Sequence, residues 1–232
     1  MHVGKKILSH GTFWSALSTI YSDLESTFRY IHPVADHLDV YSLRYYELLL
    51  RTATEFESVC KNEIIHNNIS NKNIKDLNIE DFFKLEEHFK SLPVEGPKKQ
   101  LANWKVGYFF DPVLYRQPLL PWNNSHILPW YRAYNEVKHN RQLNYKKANL
   151  ENVLDAIASL FLILMNIDYS WTDSDWLGEK IWKSDGSVVY FDPNWPVCAK
   201  ISSENLVGNP YREEFKKQLV EKENQEPWRN NY

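Results

Sequence analysis

Residues 149–168 carry the pattern that most narrows what this chain can fold into. Leu150, Val153, Leu154, Ile157, Leu160, Phe161 and Leu164 recur at spacings of three, four and seven, the period of an α-helix. Asn149 stands just before them, where a short side-chain oxygen can accept from a first-turn N–H and cap the helix. Leu162 and Ile163 widen the apolar face, so the helix has to be covered on more than one side and belongs at the centre of a bundle. Its longest apolar run, Ala156 to Ile167, is only about half the ~20 residues that span a bilayer.

Other amphipathic segments can supply that cover. Over 11–31, Phe13, Leu17, Ile20, Leu24 and Phe28 keep helical spacing until Pro33. Over 40–66, Tyr45, Leu48, Leu49, Thr52, Phe56, Val59 and Cys60 form one stripe, with Asp39 placed to cap it. Glu55 and Glu57 lie off that stripe and two apart, which points to a solvated face or a salt bridge with a basic element rather than a metal pair. A shorter helix from Ile79 to Leu92 ends at Pro93, Gly96 and Pro97. Residues 93–129, with four prolines after Gly96-Pro97 and several large aromatics, read as a long irregular connection that either walls a pocket or is pinned to the surface by its rings. Beyond Ser170, Lys180–Ser184 and Ser187–Phe191 flank Asp185-Gly186, a hairpin signal, and a polar helix is expected over about 211–223. The expectation is all-α: a helical domain over 1–169 with a small β-hairpin appendage over 170–232.

Composition excludes some functions. With 7 glycines there is no Gly-rich phosphate loop. The 9 Trp and 14 Tyr can fill a core, line an interface or stack on bases. A net charge of −3 means that any phosphate site must be local. Cys60 and Cys198 make neither a disulfide framework nor a zinc pattern, and His32, His37, His66, His88 and His126 are scattered, so no metal or cofactor is expected. The opening Met-His-Val-Gly-Lys-Lys lacks the apolar stretch of a secretory signal, and a cytoplasmic protein with no membrane contact is expected.

The chemistry concentrates in 128–143, Leu-Pro-Trp-Tyr-Arg-Ala-Tyr-Asn-Glu-Val-Lys-His-Asn-Arg-Gln-Leu. On a helix, Arg132, Asn135 and His139 fall on one face, with Arg132 and His139 roughly 10 Å apart along the axis. Such a set suits a phosphate and its proton transfers, which call for a base, an acid and charge stabilisation. An imidazole exchanges protons near neutral pH, and a guanidinium grips a phosphate with two parallel hydrogen bonds. Asn135 suits orienting His139 or bonding a phosphate oxygen, while Lys138, Arg141 and Tyr131 flank the set as phosphate contacts. The same residues also admit a plainer reading. Arg132 can pair with Glu136 at i+4, and His139 can satisfy a carbonyl at a helix end.

Arg132 followed after six residues by His139, within Trp-Tyr-Arg-Ala-Tyr-Asn-Glu-Val-Lys-His-Asn-Arg, resembles the signature of the HEPN superfamily. The helices on either side, Leu43 to Lys61 and 148–161, resemble the early and late core helices of those domains, so the likeness spans about 11–168. It implies an up-and-down helical bundle that often dimerises, two motifs meeting at the interface. Many members are metal-independent ribonucleases of toxin–antitoxin, abortive-infection or antiviral systems, some with an antitoxin partner. Others only bind nucleotides, RNA or proteins. Active members often carry a polar residue after the Arg; here it is Ala133, with Asn135 to meet the same need. The resemblance therefore implies an RNA endonuclease with His139 as acid/base and Arg132 as phosphate clamp. The alternative is a non-catalytic binding module on the same face.

Overall fold

A computed structural model of the chain describes residues 10–91, 101–108, 114–169, 188–190 and 197–200. The described protein is mostly helical. Its long helices are α1 (His10–Thr27), α2 (Leu43–His66), α5 (Pro129–His139) and α7 (Leu150–Tyr169). As its apolar breadth requires, α7 packs against α1, α2 and α5 at once. By length and composition Leu150–Ile167 is apolar enough to cross a membrane, yet 83% of it is buried inside the protein.

Backbone pairing sets the directions of these helices. Tyr41 and Asn149 form an antiparallel bridge, and the N–H groups of Leu150 and Glu151 donate to Val40 (2.9 Å) and Leu38 (3.0 Å). First-turn N–H groups that no helix can satisfy internally are thereby partnered, and α2 and α7 start side by side. The end of α1 lies at the start of α2, where Asp23 accepts from Arg44 (2.8 Å) and Arg51 (2.9 Å). The end of α5 lies there too, since Arg141 sits over Tyr46. So α1 and α5 run opposite to α2 and α7.

Local chemistry moves some expected boundaries. The cap of α2 is Ser42, whose oxygen accepts from the Tyr45 N–H at 3.0 Å; Asp39 lies too far upstream because 40–41 are committed to α7. Asn149 caps α7 as expected, accepting from the Asn152 N–H at 3.1 Å. α1 stops at Thr27, well before Pro33, where the hydroxyls of Ser26 and Thr27 turn back onto the carbonyls of Asp23 (2.7 Å) and Leu24 (2.6 Å). The expected helix over 79–92 is two pieces, α3 (Ile79–Phe82) and α4 (Lys84–Ser91). α3 opens on a capping box between Asn78 and Asp81.

The connection over 93–129 is not irregular throughout. It contains β1 (Lys105–Tyr108) and β2 (Leu114–Arg116), antiparallel, with single turns at Leu101–Asn103 and Leu120–Asn123. Strands of four and three residues are too short to show a period of two, and surrounding prolines mask them. Both are riveted to α7. The Tyr108 hydroxyl donates to the Leu154 carbonyl at 2.6 Å, and Arg116 bonds Asp155 (2.7 and 2.8 Å) and Glu151 (2.9 Å). β3 (Val188–Tyr190) and β4 (Val197–Lys200) complete an antiparallel sheet of order β2-β1-β4-β3. The mostly helical character expected from the sequence holds, and the small sheet joins strands from both sides of the expected boundary at 169/170. The expected hairpin turn, its first arm over 180–184 and the helix over 211–223 lie outside the described residues; Val188–Tyr190 of the second arm pairs with β4.

Candidate functional site

α5 begins on Pro129, whose fixed φ and missing N–H suit a first helical position. Its inner face is apolar: Trp130, Tyr131, Ala133, Tyr134 and Val137 are buried. Trp130 meets Phe56 of α2 edge-on at 5.1 Å, and Phe56 in turn meets Phe82 (6.2 Å) and Trp122 (6.4 Å). This aromatic contact fixes how α5 is rotated, and the rotation decides what faces water. Arg132 and His139 are exposed, and Asn135 and Glu136 are half-buried, so all four occupy the outer face. Arg132, Asn135 and His139 thus share one solvent-facing stripe.

Beyond His139 the chain doubles back. Asn140 leaves helical geometry and caps the short α6 (Arg141–Asn144), its side chain accepting from the Leu143 N–H at 3.3 Å. The Asn144 amide donates to the carbonyls of Glu136 (3.2 Å) and Asn140 (3.1 Å), holding the turn against the end of α5. This brings Lys147 onto Glu136, which Arg132 also contacts, Nε to Oε1, at 3.2 Å. The Lys147 ammonium, and then the Arg132 guanidinium, hold the Glu136 carboxyl below its ordinary pKa. Arg132 remains 73% exposed, so its guanidinium stays accessible while it makes this pair.

The flanking residues divide. Tyr131, expected to contact phosphate, turns inward at 8% exposure, and its hydroxyl donates to Glu57 of α2 at 2.8 Å. Burial, and then the Glu57 carboxylate, push the Tyr131 hydroxyl far above its usual pKa, so it stays a neutral donor. Lys61 lies 3.7 Å from the same carboxylate. Glu57 is therefore neither simply solvated nor salt-bridged to the basic helix; a tyrosine links it to α5. Lys138 is exposed but donates to the Tyr134 hydroxyl at 2.7 Å and lies over its ring. Arg141 is stacked, 4.9 Å from the Tyr46 ring centre and 5.6 Å from that of Tyr145. Sequence spacing missed Lys147, Tyr46 and Tyr145, since they arrive through a chain reversal and a neighbouring helix; the i+4 pair Tyr134–Lys138 was open to detection.

Among the described residues, no group of three His, Cys, Asp or Glu is placed to hold a metal ion. What the stripe offers is a guanidinium, an amide and an imidazole in water, set in a run where five Lys/Arg face one Glu between 128 and 149. Compared with models of known families, with curated proteins and with solved structures, the chain finds no match in any of the three.

Proposed function

We infer that this protein is a HEPN-like RNA endonuclease that works without a metal, and that the outer face of α5 is its site. The reading is supported by exposed Arg132 and His139 and half-buried Asn135, which share the outer face of a helix docked through its aromatic side. Arg132 exchanges its partner Glu136 for the scissile phosphate and stabilises charge that grows there. His139 moves a proton, either from the attacking 2′-hydroxyl or to the leaving 5′-oxygen, giving a cyclic phosphate and a free 5′-hydroxyl. One imidazole serves one of these transfers. A second copy of the chain supplies the other, which makes a homodimer part of this reading. Its likeness to toxin and antiviral systems, with an antitoxin or other protein partner, belongs to the same reading.

The test is cleavage of total and transfer RNA in EDTA by wild type, Arg132→Ala and His139→Ala. Cleavage by wild type alone supports the reading; equal cleavage by His139→Ala overturns it. Binding should also weaken steeply with salt if phosphates are contacted, and a flat response counts against such contacts.

The Arg132–Glu136–Lys147 arrangement favours a second reading, a non-catalytic module that binds RNA, a nucleotide or a protein on this face. Tight RNA binding with no turnover in wild type and unchanged in His139→Ala would select it.

A further inference from the structure

We propose that the turn after α5 is a seat for an unpaired RNA base, formed by the guanidinium plane of Arg141 with the rings of Tyr145 and Tyr41. This rests on the RNA reading above and adds the substrate class, single-stranded or looped RNA. Arg141 is exposed yet lies against two rings, at 4.9 Å from the centre of Tyr46 and 5.6 Å from that of Tyr145. Tyr145 meets Tyr41 edge-on at 5.5 Å, and Tyr41 is 43% exposed. Beside them Leu143 stands 82% exposed. Exposed Arg141 and Tyr41, with half-buried Tyr145, therefore form an aromatic and cationic corner at the end of the helix that carries His139.

Charge selects the occupant. Five Lys/Arg and one Glu lie between 128 and 149, and that Glu is held between Arg132 and Lys147. Glu47 and Asp23, on the neighbouring elements, are engaged by Arg44. Asp39, two residues before Tyr41, offsets part of this charge, so the excess that favours a polyanion lies on the 138–147 side of the turn. An acidic protein segment meets the charge but leaves the aromatic faces unused. A nucleic acid strand meets both, since its phosphates answer the cations and every base has a face to stack. Duplex RNA hides those faces, whereas unpaired bases stack on aromatic rings and on guanidinium planes. Because Tyr46 and Tyr145 already hold Arg141, little side-chain freedom is lost when a base arrives.

The experiment is fluorescence polarisation of the full chain with a 2′-O-methyl single strand, whose blocked hydroxyl makes it uncleavable, with the same strand carrying abasic sites, and with its duplex. The intact strand should bind about tenfold tighter than the abasic strand. Arg141→Lys, which keeps the charge and removes the plane, should bring the intact strand to the abasic level and leave the abasic strand unchanged. Equal binding of all three probes by wild type overturns the seat while the phosphate site stands. A base preference that survives Arg141→Lys also overturns it. Base-dependent binding without cleavage of unmodified RNA keeps the seat and sinks the nuclease; binding of no probe overturns both. If Leu143→Lys splits a dimer in light scattering and leaves the base preference untouched, the surface is an interface between copies and the proposal falls.

Discussion

Asp81 and Glu136 each sit between two cations, and they behave as different objects. Asp81, in the capping box of α3, accepts from Lys72 and Lys84, each at 2.9 Å, and from the Asn78 N–H at 3.2 Å. Its side chain is 1% exposed because the two lysines close over it from the solvent side. Glu136, on α5, has Arg132 and Lys147 but keeps 27% exposure. Water and salt screen the second arrangement far more than the first. Burial turns a pair of ion pairs into a fixed joint; exposure leaves cations that an incoming phosphate can take over. The α3 corner is thus structural, and the α5 face is open to exchange.

The largest expected effect tests the joint. Asp81→Ala should lower the free energy of unfolding by about 2–4 kcal/mol, since it removes the capping box and strands two lysines over a buried gap. Urea titration measures this, and a loss under ~1 kcal/mol would erase the contrast with Glu136.

Acid sharpens the same contrast. Burial alone would raise the Asp81 carboxyl, but hydrogen bonds from Lys72, Lys84 and the Asn78 N–H outweigh it and hold the group below its ordinary value. The unfolded chain then takes up the proton at higher pH than the folded one. The stability Asp81 contributes is therefore full above the ordinary carboxylate pKa and is lost as pH falls through that value to the lower, folded one. Wild type should exceed Asp81→Asn in stability at about pH 6, and the gap should narrow as pH falls below the ordinary carboxylate range. A gap independent of pH would show that the ionised carboxylate is not what stabilises the corner.

A smaller effect belongs to the inner face of α5. Tyr131→Phe removes the hydroxyl that donates to Glu57 and should cost about 1 kcal/mol, with RNA affinity unchanged. Weaker RNA binding by a normally stable Tyr131→Phe protein would mean that this face, and not only the outer one, meets the ligand.

The smallest change in stability is expected at Glu136. Glu136→Gln should alter the free energy of unfolding by less than ~0.5 kcal/mol. RNA should nevertheless bind about two- to fivefold tighter at low salt, because Arg132 and Lys147 lose a competitor. Unchanged or weaker binding would mean that Glu136 orients Arg132 rather than occupying it.

Much of this contrast was legible in the chain. Periodicities of three and four placed α1, α2 and α7, because a helix that must bury a stripe repeats that stripe in sequence. The capping role of Asn149 was readable for the same local reason, as were the shared face of Arg132, Asn135 and His139 and the i+4 pairing of Arg132 with Glu136. The strands β1 and β2 were not legible. They are too short to establish a period, and their stabilisation comes from α7, some 40 positions away, through Tyr108 and Arg116. Ser42 displaced Asp39 as a cap only because Leu38 and Val40 were already bonded to the start of α7.

What the sequence determined by itself, then, is the set of helices and the chemical content of the face of α5, since both follow from residues within a few turns of one another. Tertiary structure decided which way that face points and who its partners are. Phe56 and Trp130 set the rotation of α5, Glu57 draws Tyr131 inward, and the reversal after Asn140 delivers Lys147 to Glu136 and Arg141 to Tyr46. Each of these contacts joins residues from different elements, and its free energy exists only once the chain has closed on itself.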